Sequence, residues 1–299
     1  MAYPRAIFPG KTYMLTRRTV LRHFLLLPDE SMKELIEYSL AVAARLYKMD
    51  VHAFGAMSTH IHVVLTDRDG LLPLFMAYFH RLVAMGTKIL RCWEGSIWDS
   101  EQTSVVELLT RDAIVEKIAY VLANPVAAGA VFVPDEWPGA KTRVEDIGQT
   151  VLETTRPKVY FDAKNWPDVV KLQIALPPMI ADADAESFRD DVQKALEHEV
   201  ATARTTIAPE NVMGPNRAKT IPPETRAKTP EPTRKRNPTF AAGRGNRDIA
   251  VAAARAVMAF RAAYRAAIKR WCERDCNVEF PQGTWWMRVF HAVNIAGSI

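Results

Sequence analysis

The chain has 299 residues, 48% of them hydrophobic, with a formal charge of +5 and a pI near 9.1. That is enough for one substantial core and an appended unit. No apolar run approaches the ~20 residues of a spanning helix, Met1-Ala2-Tyr3-Pro4-Arg5 lacks the apolar core of a secretory signal, and three cysteines give no disulfide framework, so a reduced, cytoplasmic protein with no membrane partner is expected.

Taken in order, Thr12 to Val20 reads as a first strand, and its Arg17-Arg18 pair suits either phosphates or plain solvation. Asp29 is placed to cap a helix from about Glu30 to Lys48, with Leu35, Ile36, Leu40, Ala43 and Leu46 facing inward. Val51 to Met57 is strand-like and leads through a tight turn into Met57-Ser58-Thr59-His60-Ile61-His62-Val63-Val64-Leu65. Alternate side chains on a strand share a face, so His60 and His62 emerge side by side. Two neutral imidazoles on a rigid strand make two ligands of an open divalent-metal site. The ordinary alternative is a pair of histidines hydrogen-bonded to their neighbours, and a third group has to decide. Gly70 and Pro73 open a helix from about Leu74 to Arg91, with Phe75, Tyr78, Phe79, Leu82 and Ile89 as its core face. Arg81, Lys88 and Arg91 decorate that helix as phosphate contacts or as a solvated face. Trp98 and Ser104 to Leu108 suggest a loop and another strand.

Thr110 then caps a helix beginning at Arg111. Tyr120 and Asn124, four residues apart, share one helix face, and Pro125 predicts that the helix stops at Asn124. A phenol and an amide one turn apart suit a nucleophile and a third metal ligand; a packing tyrosine and a helix-end asparagine are the plainer reading. The order β-α-β-β-α-β predicts an α+β fold of ferredoxin-like type, an antiparallel sheet with helices on one face, followed by a largely helical C-terminal extension.

His60-Ile61-His62 followed by Tyr120-Val121-Leu122-Ala123-Asn124-Pro125-Val126-Ala127-Ala128-Gly129 resembles the single-tyrosine HUH transposases. It is most similar to the branch of REP-associated tyrosine transposases, whose helix motif reads Tyr-x-x-x-Asn-Pro-Val-x-Ala-Gly, and Arg5 to Tyr13 looks like that branch's opening strand. The resemblance covers residues 1–140. It implies the same ferredoxin-like fold, Mg²⁺ or Mn²⁺ on His60, His62 and Asn124, Tyr120 as the nucleophile, and single-stranded, hairpin-forming DNA as partner. Arg5, Arg17, Arg18, Arg81 and Lys88 are the expected DNA contacts. Two departures stand out: Ser58-Thr59 where the family has Pro-Asn, and Glu101 where Gly-x-Leu-Trp-x-x-Arg would place its arginine.

Beyond 140 the signal thins. Residues 141–206 read as an accessory α+β segment, with a strand over Val169 to Leu176 and a charged helix from Asp184 to Ala203. Residues 207–247 hold seven prolines, the Arg234-Lys235-Arg236 cluster and a net charge of +6, leaving −1 for the rest of the chain. That composition predicts a flexible basic linker. Residues 248–299 open with a long alanine-rich helix on which Arg261, Arg265 and Lys269 align; a basic face of this kind binds DNA or, more commonly, packs on its own domain. Cys272 and Cys276 fall one turn apart on its continuation, and Gly283 to Phe290 reads as a final strand or hairpin. A homodimer is compatible with the sequence.

The implied reaction is metal-dependent transesterification of single-stranded DNA through a 5′-phosphotyrosine, in a mobile or a domesticated protein. Spacing alone would equally allow zinc. Two other classes stay open: a module that binds a DNA or RNA hairpin without cleaving it, and a metal-dependent hydrolase in which water attacks.

Overall fold

The computed structural model describes residues 4–228 and 238–297. Eight residues, Lys11–Arg18, form β1, and α1 follows over Glu30–Tyr47. The β2 strand (Met49–Met57) turns directly into β3 (His60–Asp67); α2 spans Leu72–Arg91 and β4 spans Ser104–Leu108. These strands form one sheet in the order β2-β3-β1-β4, antiparallel throughout. The expected ferredoxin-like arrangement therefore holds. Asp29 caps α1 by accepting from the Met32 N–H at 3.0 Å. Arg91 pairs with that same carboxylate, which fastens the end of α2 to the start of α1 and takes Arg91 out of the phosphate contacts. Two residues assigned inward by periodicity point outward: Leu46 and Ile89 are each 54% exposed, both within the last turns of their helices.

The helix that carries Tyr120 is α3, Arg111–Ala127, capped by Thr110 accepting from the Ala113 N–H at 3.1 Å. It does not end at Asn124. Proline lacks an N–H, so the bond lost at Pro125 is the one to the Val121 carbonyl. That carbonyl lies against Gly55 of β2, where an added Cβ would stand 3.4 Å from it and 3.3 Å from Val121 Cγ1. The helix closes three residues later, with Gly129 in the left-handed region (φ +66). There Gly129 N–H bonds to Val126 O and Ala130 N–H to Pro125 O, each at 2.9 Å, a Schellman ending.

Later chain wraps this unit. A hairpin of β5 (Val151–Thr155) and β6 (Val169–Gln173) rests on α1. In the connection between its strands, Pro167 O accepts from Tyr38 Oη of α1 at 2.6 Å. The 22-residue α4 (Ala185–Thr206) packs along α3, with Arg111 and Asp191 paired at 2.7 Å.

The stretch expected to be a linker is docked over 207–228. Met213 N–H bonds to Gly129 O at 2.8 Å, and the short α5 (Pro215–Thr220) buries Ala218. Phe24 N–H reaches Thr225 O at 2.9 Å, Ala227 N–H reaches Arg22 O at 3.2 Å, and His23 Nδ1 donates to Glu224 O at 2.9 Å while Nε2 accepts from Arg226 Nε at 3.2 Å. Met213 and Ala218, spaced between the prolines, add apolar contacts with the main core to these hydrogen bonds. The Arg234-Lys235-Arg236 cluster lies outside the described residues. Beyond it, β7 (Phe240–Ala241) pairs in parallel with β4 as a fifth strand.

The long C-terminal helix is α6, Arg247–Cys272. It is followed by β8 (Glu279–Phe280), α7 (Trp286–His291) and β9 (Asn294–Ile295), with β8 and β9 parallel. The strand or hairpin expected at Gly283 to Phe290 is therefore mostly a short helix. It buries Met287 and leaves Trp286, Val289 and Phe290 outward. These elements share a small apolar cluster of their own around Ala267, Val278 and Phe280. Because α6 stops at Cys272, Cys276 is not on its face; all three cysteines are free and exposed.

His52 is fully buried, its ring spanning Ala175 O and Thr66 Oγ1, each at 2.8 Å. Burial lowers its pKa to about 4. The unfolded chain, with histidine near 6.5, takes up the proton first. Stability present above pH 6.5 is therefore lost as pH falls toward 4. Urea unfolding should show a midpoint falling over that window, and His52→Gln should shallow the dependence by up to about 1.4 kcal/mol per pH unit, one proton's worth. An unchanged pH slope in that variant would remove His52 from the account.

Candidate functional site

The site is assembled from β1, β3 and α3. Antiparallel pairing places Thr16 opposite His62 and Arg18 opposite His60. Thr16 Oγ1 lies 2.8 Å from His62 Nδ1, and Thr59 Oγ1 lies 3.0 Å from His60 Nδ1. Each ring is thus held by a threonine at one nitrogen and turns Nε2 toward α3. Asn124 meets both, with Oδ1 3.2 Å from His60 Nε2 and Nδ2 3.4 Å from His62 Nε2. The imidazole planes are nearly perpendicular, with centroids 4.6 Å apart. Tyr120 stands one turn before Asn124, its ring 5.4 Å from that of His62.

Both histidines are neutral at physiological pH. Burial, reinforced by the positive charge of Arg18, lowers His60 to about 4. Burial and the neighbouring His60 hold His62 well below its usual value. Neutral imidazoles with oriented Nε2 atoms, beside an amide oxygen, are the donors a divalent ion takes. The residues therefore fit such an ion. Among the described residues no group of three His, Cys, Asp or Glu side chains is arranged for a metal, so the set depends on the Asn124 amide. Tyr120 is partly open to solvent, but burial raises the pKa of its hydroxyl; Arg18 and Asn124 pull it down, and Glu199 of α4 adds to the rise.

Beside the His62 ring lies a cavity bordered by Thr16, Arg18, His62, Ser104 and Tyr120, closed on one side by the loop from Asp99 to Gln102. Of the basic residues singled out from sequence, Arg17 and Arg18 border it. The guanidinium of Arg17 is engaged by the loop: it donates to the backbone carbonyls of Asp99, at 3.1 Å, and of Glu101, and sits 5.8 Å from the Trp98 ring. The acid at position 101 thus stands in a loop that wraps an arginine from β1. Arg5 is partly buried near Tyr13 and Arg261, at the opposite end of β1. Arg81 and Lys88 ride on α2 and do not border the cavity.

Several residues of the site are not marked in the sequence. Thr16 is identified only by its register against His62. Thr59 does its work inside a departure from the family pattern, and the carbonyls of Ser58 and Thr59 accept from the N–H groups of Leu26 and Thr19 at 3.0 and 2.9 Å. Lys117, one turn before Tyr120, places its ammonium 5.8 Å from the tyrosine ring, a spacing that the helix alone predicts.

No protein-family model matches the chain, and no curated protein matches it. Among solved structures it is similar to a REP-associated tyrosine transposase bound to a REP hairpin, at 16% identity and a TM-score of 0.42, over 56% of this chain and 96% of that one. A candidate transposase from Deinococcus radiodurans R1 matches at 18% identity and a TM-score of 0.30, over 40% and 95% of the two chains. The tRNA(His) guanylyltransferase of Saccharomyces cerevisiae matches at 13% identity and 0.33, over 44% and 66%. Among the described residues no helix is long and apolar enough to cross a membrane.

Proposed function

We propose that the chain cleaves and rejoins single-stranded DNA through a covalent bond to Tyr120. The observation that carries this reading is Asn124 bridging His60 and His62 while Tyr120, on the same helix face, stands over His62. Tyr120 Oη attacks the scissile phosphorus, the bond from phosphorus to the 3′-oxygen breaks, and a 5′-phosphotyrosyl ester forms. Overall the phenolic proton is exchanged for the one on the freed 3′-hydroxyl, and return of a hydroxyl reverses the step. A divalent ion held by His60, His62 and Asn124, magnesium or manganese, would supply positive charge against the scissile phosphate. Arg18 contributes fixed positive charge beside the nucleophile and favours its ionised form. Thr16 and Thr59 hold the imidazoles, and the loop around Arg17 walls the cavity.

One observation favours a second reading. Burial moves the Tyr120 pKa upward, away from an activated nucleophile, which suits a module that binds a hairpin without cutting it. Adduct trapping separates the two. Incubated with labelled hairpins from the DNA flanking its gene, in Mg²⁺ or Mn²⁺, the wild-type chain should form a covalent species stable to denaturant. Tyr120→Phe should bind the same DNA and form none. An adduct of wild-type yield from the variant would move the nucleophile elsewhere, and no adduct from wild type would favour the binding module.

The threonine shell gives a separate test. Thr16→Val removes the partner of His62 Nδ1 and keeps the side-chain volume, so Mn²⁺ affinity measured by calorimetry should fall roughly 10- to 100-fold. His60→Ala with His62→Ala should abolish measurable binding. Unchanged affinity in the double variant would place the ion elsewhere.

A further inference from the structure

From the shape and charge of α6 we infer that this helix is a second nucleic-acid surface, one that lies along duplex DNA. The sequence leaves open whether its basic face packs on the protein or faces outward, and the structure resolves the point. Of the 26 residues of α6, Ala267 is the only fully buried one. Phe260, Tyr264 and Trp271 fall on the side that turns inward, where Tyr264 and Trp271 meet Phe280. The opposite side is open along the whole helix.

That open side is strongly basic. The helix holds six Lys or Arg against a single acid, Asp248. At 3.6 residues per turn, Arg247, Arg255, Arg265, Lys269 and Arg270 fall within about 140° of its circumference. All five are exposed. Among the described residues Arg255 and Arg265 make no ion pair, Lys269 reaches Glu273 only at 4.0 Å, and Arg270 is held by Asp275. Arg247 likewise pairs with no acid among the described residues, so four cations remain available, Arg247, Arg255, Arg265 and Lys269. The last three are spread over 14 steps of the helix, about 21 Å at 1.5 Å per residue.

Shape selects the kind of polyanion. Between these cations the exposed face carries Ala259, Ala262 and Ala266, with Met258 as its one long apolar side chain, so the helix stays narrow along most of the stretch where the basic side chains project. A major groove about 12 Å wide admits an α-helix of about that diameter. Single-stranded nucleic acid is instead gripped by stacking on aromatic side chains, and the aromatics of α6 are on the covered side. An outward basic helix with small residues between its cations fits the paired stem of a hairpin, while the single strand goes to Tyr120. The choice of DNA rests on the function proposed above; the geometry of the face does not.

Binding of the full chain to a blunt 20-base-pair duplex, followed by fluorescence anisotropy across a salt series, tests this. Arg255→Gln, Arg265→Gln and Lys269→Gln together should weaken binding roughly tenfold or more near physiological salt. They should also reduce the slope of log K against log salt by about two to three, at about 0.9 for each phosphate no longer neutralised. Adduct formation on an unstructured single strand should be unchanged, and it also reports that the variant is folded. A charge-matched variant at the exposed Lys158, Lys164 and Lys194, each changed to Gln, should bind duplex nearly as wild type does. Equal binding by wild type and the α6 variant, or equal losses in both variants, overturns the inference and leaves the Tyr120 reading intact. Loss of duplex binding in the α6 variant, with no adduct from any form, keeps the inference and sinks the cleavage reading. Wild type that binds anionic vesicles or self-associates through α6, without binding duplex, also overturns the inference.

Discussion

The site depends on how closely α3 lies on the sheet. Gly55 sits opposite His62 in the β2–β3 register, and the Val121 carbonyl and side chain rest on it with no room to spare. One turn of helix carries Val121 to Asn124 and Pro125, so that approach sets the distance at which the amide meets both imidazoles. Pro125 belongs to the same constraint. By withholding an N–H from the Val121 carbonyl it leaves that oxygen without its helix partner, facing the one residue of β2 that has no side chain. A bulkier residue at position 55 would lift the helix and separate Asn124 from the rings, although no residue of the site itself had changed.

Electrostatics follow from the same closeness. Packing α3 onto the strand strips water from the two histidines and from the Tyr120 hydroxyl, and the three groups respond in chemically consistent directions: imidazoles become neutral and the phenol becomes a weaker acid. Arg18 is the compensating charge. It is placed by strand register, opposite His60, and acts on all three groups from there. Packing that excludes water to keep the imidazoles neutral also opposes ionisation of the phenol, and Arg18 together with the Asn124 amide offsets part of that.

The residues with distinctive chemistry are legible in the sequence because their spacing equals a structural period. His60 and His62 are two apart on a strand, Tyr120 and Asn124 four apart on a helix, and the antiparallel core follows the expected order. What the sequence hides depends on pairing across the fold. Thr16 is an ordinary strand threonine until it is set against His62, and Arg17 looks like a surface cation until the Asp99–Glu101 loop closes over it. Leu46 and Ile89 follow the apolar period but fall in final turns that overhang the core. The proline-rich composition of 207–228 suggests freedom, yet a few anchors such as Met213, Ala218 and Thr225 hold it to the first unit. Proline disfavours regular structure, not docking.

The fifth strand has a consequence for how the chain behaves in company. The free side of β4 would expose unpaired N–H and C=O groups, the feature by which sheets recruit other strands. Here Glu107 and Leu109 donate to Thr239 and Ala241, so the chain's own later residues occupy that margin. At the other margin Ala56 and Thr142 N–H groups tie β2 to residues 140–142, and Ala175 N–H bonds to Val51 O. Both sides of the sheet are thus sealed by segments that begin at the very end of the family-like unit or lie beyond it. A chain shortened to that unit would keep every residue of the site and lose its insulation, and it would be prone to join its neighbours edge to edge.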